Sequence, residues 1–363
     1  VIRIERRAPM SREAAAGLRL AGVAGALLAG AAFLSATGHD PGQAYLDMLR
    51  GAVGSPYAAQ QTAVKAIPLA LTGLGVALAF HAGLWNIGAE GQLAMGAFLA
   101  SWAALGLSWP AWALLPAMGL LGLVGGGLWA LLPAVPRALW GTNEIITTLL
   151  LNYVALLWVD YLVFGPWADP SAFSFPYSRP FPDAARLPLL PGTQVHAGAL
   201  FVVAIAAALG FVLRRTAWGY EIRVTGHSPR AAAYAGMPVR ANVLLVMVLS
   251  GAVAGLAGMG EVSGVIGRIQ QGISPGYGYS AIIIAWLARL SPWGTVGVAV
   301  LFAALINGGF ALQTSGVPAA IASMLQALVL FSVLVGDFFV SHRVAVRRGR
   351  AAALPAQEAA AEP

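Results

Sequence analysis

The 363-residue chain contains no cysteine, which excludes disulfides, thiol nucleophiles and thiolate metal sites. Its five histidines are scattered, none in the His-Glu-x-x-His spacing of a zinc hydrolase, and no metal site or catalytic residue is expected. No Gly-x-x-x-x-Gly-Lys-[Ser/Thr] occurs, so the chain has no P-loop with which to bind ATP. Charge is scarce as well. Only 10% of residues are Asp, Glu, Lys or Arg, against about 25% in a soluble domain, and a surface so poor in charge would not stay in water. The apolar runs hold no charged relay of the kind proton-coupled carriers use. If the chain pumps, the power is expected to come from elsewhere.

What the chain has in quantity is apolar sequence: 59% of residues are hydrophobic and mean hydropathy is +0.76. The apolar residues fall in repeated runs near membrane-span length, which points to one all-α integral membrane domain. Ten segments stand out: about 18–37, 63–82, 91–107, 109–132, 143–164, 196–213, 242–263, 279–290, 294–314 and 317–339. A full span needs roughly 20 residues, so 91–107 is short and 279–290 much too short. Both follow Gly-rich, partly polar stretches. Such a backbone is tolerated at membrane depth only where it is buried in protein or lines a wet cavity. The first segment has a longer apolar stretch than a signal peptide and a poor cleavage site at Leu34-Ser35-Ala36, so it is expected to be a retained helix.

Net charge is +7, and Lys65 is the only lysine among 21 basic residues. An excess of this kind can mark a nucleic-acid partner. Here most of it lies in short segments beside the apolar runs, where it orients spans, and no nucleic acid is expected. With ten spans and the N-terminus in the cytoplasm, sixteen Arg lie inside and five basic residues (Arg50, Lys65, Arg179, Arg186 and Arg268) lie outside. The expected layout is a cytoplasmic tail at 1–17, a permease domain at 18–340 and a cytoplasmic tail at 341–363. The outer, periplasmic loop at 165–195 carries seven prolines and reads as an irregular cap. The inner loop at 214–241 is basic. Within it Ser228 suits an N-cap, Pro229 the first helical position and Ala231-Ala232-Ala233 a short helix, with Gly236 to end it. This helix is either a docking lever or an ordinary amphipathic connector.

The two Gly-rich stretches resemble each other. Asn86–Ala100 aligns with Ser274–Ala288, pairing Gly88 with Gly276, Ala97 with Ala285, Phe98 with Trp286, and Leu99-Ala100 with Leu287-Ala288. Each block follows an apolar helix and precedes two more, and the two enter from opposite sides, as a pseudo-inverted repeat requires. Gly-broken segments at matching places in two halves point to a midplane substrate site.

The candidate path residues lie on these blocks. Glu90 costs about 3 kcal/mol or more as an isolated carboxylate at the bilayer centre, so it needs a partner. Asn86 and Gln92 flank it and Trp85 adds a stacking face. Two readings stay open: contact with a polar, ring-bearing ligand, or bracing of a broken helix. Tyr277 and Tyr279 hold the matching place in the second half, as path residues or interfacial anchors. Asn152, deep in the fifth span, is a further path candidate or an interhelical hydrogen-bonder. Asn143 and Glu144 read as a helix start or gate. The run Ser250–Gly258 reads as a close-packing face.

Four stretches together resemble the nucleoside-type permease subunits of bacterial ABC importers, within the branched-chain amino acid and simple-sugar permease family. They are Gly83-Leu84-Trp85-Asn86-Ile87-Gly88-Ala89-Glu90-Gly91-Gln92, Asn143–Tyr153, Gly226-His227-Ser228-Pro229-Arg230-Ala231-Ala232-Ala233-Tyr234-Ala235-Gly236, and Gly276–Ile282. The similarity runs from about residue 60 to 340. It implies an inner-membrane, multi-pass subunit that forms the translocation path and is paired with a second, homologous permease. Cytoplasmic ABC ATPases would use the ATP, no cofactor being bound by this chain, and a periplasmic or lipoprotein substrate-binding protein would deliver nucleoside. Carried over by position, Ser228, Pro229, Arg230, Ala232 and Tyr234 form the coupling helix, and Trp85, Asn86, Glu90 and Gln92 line the path. Sugar permeases share this scaffold, so a ribose-like monosaccharide is the alternative substrate. An ion-coupled secondary carrier, which would work without nucleotide, is a further one.

The charge distribution generates a direct test of orientation. In this cysteine-free chain, Pro180→Cys should react with an impermeant maleimide in intact cells. Labelling that needs cell lysis would reverse the topology.

Overall fold

The computed structural model describes residues 2–6, 10–106 and 110–346. Thirteen α-helices account for most of them: α1 (Arg12–Ala36), α2 (Pro41–Val53), α3 (Pro56–His81), α4 (Ala89–Gly106), α5 (Ala111–Trp140), α6 (Glu144–Phe164), α7 (Gly198–Arg215), α8 (Ala217–His227), α9 (Pro229–Tyr234), α10 (Val239–Glu261), α11 (Tyr277–Leu287), α12 (Pro292–Thr314) and α13 (Ala319–Ser341). Each of the ten expected segments falls on a helix, but the count of ten spans does not follow. Among the described residues, seven helices are long and apolar enough to cross a membrane. The number is eight if the broken pair Leu20–Ala36 and Pro41–Val53 makes one span. The reason is local: α4 has 18 residues and carries the polar Glu90 and Gln92 in its first turn, and α11 has only 11.

The helix starts follow from sequence. A Ser-Pro pair opens α3, α9 and α12, where Ser55, Ser228 and Ser291 accept hydrogen bonds from the N–H groups of Ala58, Ala231 and Gly294 at 3.1, 3.2 and 3.4 Å. The serine oxygen satisfies a backbone donor with no partner inside the helix, and proline occupies a position whose N–H is not needed.

The chain divides into two compact units, residues 43–319 and the two chain ends taken together. In the unit made by the ends, a Cβ on Gly22 of α1 would stand 3.0 Å from the Ser332 carbonyl oxygen of α13. The strands β1 (Ile2–Arg6) and β2 (His342–Val346) pair antiparallel, Ile2 opposite Val346 and Arg6 opposite His342. This ribbon is an addition to the helical fold and joins parts of the two expected tails. Residues 347–363 of the C-terminal tail lie outside the described residues.

In the larger unit α4, α5 and α10 pack against one another, and α3 packs against α10, α11 and α12. The Ser250–Gly258 run does bring backbones together. A Cβ on Gly255 would collide with the Gly122 carbonyl of α5, and one on Gly258 with the Leu93 carbonyl of α4. Lipid tails are as apolar as leucine, so helices in a membrane gain by van der Waals contact and close approach rather than by hydrophobic exclusion. By contrast, α6 buries only one face, including Thr148, Asn152, Ala155 and Val159, and exposes Leu150, Tyr153, Leu157 and Tyr161. The proline-rich loop is anchored at its base. Ser178 N–H donates to the Ile269 carbonyl at 2.9 Å, Phe181 N–H to Gly267 at 2.8 Å and Leu187 N–H to Ser263 at 3.0 Å.

The packing separates two glycines of similar composition. Gly119, with nothing within 4 Å of an added Cβ, should gain up to about 1 kcal/mol of helix propensity as Gly119→Ala. Gly255→Ala should lose about 1–3 kcal/mol to overpacking. Thermal melts of detergent-purified protein should place the first at or above wild type and the second below it; equal melting temperatures would contradict the packing.

Candidate functional site

The site is made by two interruptions of helix that touch. α3 ends at His81, and the chain passes through Gly83 (φ +70°) and a turn at 84–88 before α4 begins at Ala89. In the second half α10 continues into a π-helical turn, Val262–Ile266, then a linker at 267–276 that ends on Gly276 (φ +94°) before α11. The starts of α4 and α11 meet. Gly278 N–H donates to Glu90 Oε2 at 2.6 Å, and the Ser274 hydroxyl and Gly276 backbone lie beside the same carboxylate. A Cβ on Gly278 would collide with the backbone nitrogen of Glu90, so glycine is what lets the two starts touch. A carboxylate at a helix N-terminus accepts its free N–H groups and meets the positive end of the helix dipole, worth about 0.3–1 kcal/mol near a surface and more when partly buried.

The amides of the first break are spent on the break itself. Asn86 and Gln92 exchange two hydrogen bonds, each 2.9 Å. The Asn86 amide also donates to Ser250 Oγ at 2.9 Å, and its oxygen accepts from Gly88 N–H at 3.0 Å. Asn152 accepts from Gly91 N–H at 2.8 Å and donates to the Ile87 carbonyl at 2.9 Å and to Tyr279 Oη at 3.4 Å. Asn86, Glu90, Gln92 and Asn152 are all buried. Each amide has two N–H donors, so Asn86 and Asn152 have none left to offer a ligand.

The rings behave differently. Trp85 is 41% exposed and Tyr279 37%, while Tyr277 is buried. Trp85 is joined by two residues that reading for polar groups passed over, Phe80 and Trp286, the latter 47% exposed. The three ring centroids lie 5.1, 5.7 and 5.8 Å apart, all tilted. Trp286 was already aligned within the repeat, which was the one available signal. Behind the ring, the Trp85 backbone N–H donates to Glu144 Oε1 at 3.2 Å, and Glu144 Oε2 pairs with Arg137 Nε at 3.2 Å. Asn143 caps α6 through Ile145 N–H at 2.9 Å.

The segment expected to couple to a partner forms α9. Ser228 caps it, Pro229 starts it and Gly236 (φ +78°) follows it. Its alanines do not share one outward face. Ala232 is fully buried in its own chain and anchors the helix, whereas Arg230 and Tyr234 are exposed, Tyr234 at 97%. The preceding helix α8 lies against the first break, where a Cβ on Gly226 would collide with the His81 carbonyl.

Comparison with known proteins agrees on one family. The family described as branched-chain amino acid transport system / permease component matches residues 58–334. A glucose ABC transporter permease protein of Haloferax volcanii is 42% identical over 90% of this chain and 90% of its own. A guanosine ABC transporter permease protein of Bacillus subtilis is 31% identical over 85% of this chain and 89% of its own. A nucleoside ABC transporter permease protein of Lactococcus lactis is 29% identical, over 85% and 87%.

Asn86→Ala removes partners from buried Gln92 and Ser250 and should cost about 1–3 kcal/mol. The purified variant should melt several degrees below wild type. Wild-type melting would mean that the amide network does not hold the break.

Proposed function

This chain belongs to the family of branched-chain amino acid transport system permease components, and we propose that it forms the translocation path of an ATP-driven importer for nucleosides. It is an ABC transporter permease, embedded in the membrane by several helices. In this reading the exposed surface beside the two breaks is the path. The observation that carries it is the trio Phe80, Trp85 and Trp286, with Tyr279 also exposed on α11. Aromatic faces stack on a nucleobase with about 1–3 kcal/mol per base in other proteins, and a phenol can hydrogen-bond ribose. The amides are consumed internally, so binding stays modest. That suits a protein that must release what it receives.

ATP hydrolysis is assigned to cytoplasmic ABC subunits that dock on α9 through exposed Arg230 and Tyr234, with Ser228, Pro229 and Ala232 holding that helix in shape. This chain itself binds no cofactor. A second, homologous permease completes the path, and a periplasmic or lipoprotein substrate-binding protein delivers ligand to the 165–195 loop. The assembly sits in the inner membrane with both termini in the cytoplasm. A monosaccharide is the second reading, favoured by the 42% identity to the glucose permease protein.

Competition for radiolabelled guanosine uptake, in cells expressing the whole transporter, distinguishes the substrates. Unlabelled adenosine and guanosine should compete, while ribose and glucose should not. Trp85→Ala and Trp286→Ala should each cut uptake about tenfold, the size expected for one lost stacking face. Uptake of labelled glucose with none of labelled guanosine would establish the sugar reading, and wild-type uptake by both variants would place the path elsewhere.

A further inference from the structure

Each of the two breaks is tied to a different extramembrane element. The first is tied to α8. Besides the Gly226 contact, a Cβ on Gly83 would stand 2.9 Å from the Gly226 carbonyl oxygen, so backbone meets backbone with no side chain between to absorb movement. α8 passes directly into α9 at Ser228.

The second break is tied to the 165–195 loop. Ser178 and Ile269 bond reciprocally, Ser178 N–H to the Ile269 carbonyl at 2.9 Å and Ile269 N–H to Ser178 Oγ at 3.1 Å. Phe181 and Gln271 N–H groups add bonds to Gly267 and Pro176 at 2.8 and 3.2 Å. These bonds hold the linker that delivers Gly276 and the start of α11.

The two chains of contact converge on Glu90. We propose that Glu90 is a positioning residue that transmits movement between the 165–195 loop and α8–α9, and that it does not contact the ligand. The inference rests on the permease reading above. Glu90 is only 2% exposed, and its carboxylate is occupied by the first turn of α11. Its partner Gly278 has no side chain, so a shift of α11 acts directly on the first residues of α4. A charged acceptor at a helix start holds several N–H groups at once, and this makes the joint stiffer than a neutral amide would. Packed elements with discrete arrangements, rather than compliant ones, carry coupling between distant sites.

The test uses the complete transporter reconstituted in liposomes with its ATPase and binding protein, and guanosine as the probe. Glu90→Ala should lower maximal uptake at least tenfold and leave KM for guanosine within twofold. The ratio of ATPase rates with and without ligand-loaded binding protein should fall toward one. Glu90→Gln, which keeps one acceptor oxygen, should recover part of that ratio. Gly278→Ala keeps Glu90 but forces the helix starts apart, and should lower the ratio as well. If Glu90→Ala does not fold, the Gln and Gly278 variants decide the matter. A tenfold rise in KM with the ATPase ratio intact would make Glu90 a ligand contact and overturn the proposal, as would wild-type behaviour in all three. A wild-type complex that hydrolyses ATP but imports neither guanosine nor glucose would instead overturn the permease reading and this inference with it.

Discussion

A helix interrupted inside a membrane exposes N–H and C=O groups where there is no water to bond them, and each one left unpaired costs several kcal/mol. The structure is organised around meeting that cost twice, at 82–88 and at 267–276. At the first break the Asn86–Gln92 pair, Asn152 and Thr148 take up the free backbone groups of Ile87, Gly88 and Gly91. At the second, the 165–195 loop bonds the linker and Glu90 accepts the start of α11. The buried amides of Asn86 and Asn152 are therefore committed within the protein, and Trp85, Trp286 and Tyr279 remain exposed beside the breaks.

Close packing is the other half of the same solution. Glycines on α5 and α10 bring backbones into contact, so the core helices cannot shift independently without opening voids that lipid does not fill favourably. A rigid core with two polar breaks concentrates possible movement where the helix ladder is already interrupted. The Gly226–Gly83 contact and the Ser178–Ile269 pair then attach each break to an element outside the apolar core.

The relatives leave substrate open between a nucleoside and a hexose, and the structure offers a physical basis for the ambiguity. In the proposed reading, a path lined by ring faces and one phenol would make few directional demands. Small differences in ring placement would move preference from a base to a sugar without changing the scaffold.

How much of this was legible depends on the range of each interaction. Hydrophobic run length located ten of the thirteen described helices, and the Ser228-Pro229 pair located the start of α9, because spans and caps are decided by neighbours within a few residues. The glycine clusters marked both breaks for the same reason, since glycine is tolerated where the backbone bends or another chain approaches. The terminal ribbon was not read from the sequence, which placed its two strands in separate tails. The number of full spans was less secure, because α4 and α11 combine helix-forming sequence with too little apolar length to cross alone. Which residues pair across the two breaks was not legible. Asn86 meets Ser250 across 164 positions, Glu90 meets Gly278 across 188, and Trp85 stacks on Trp286. No local pattern records those pairings, since they exist only once α3, α4, α10 and α11 are packed. Sequence determined the long helices and where they break; tertiary structure decided which side chains close the breaks and which remain exposed beside them.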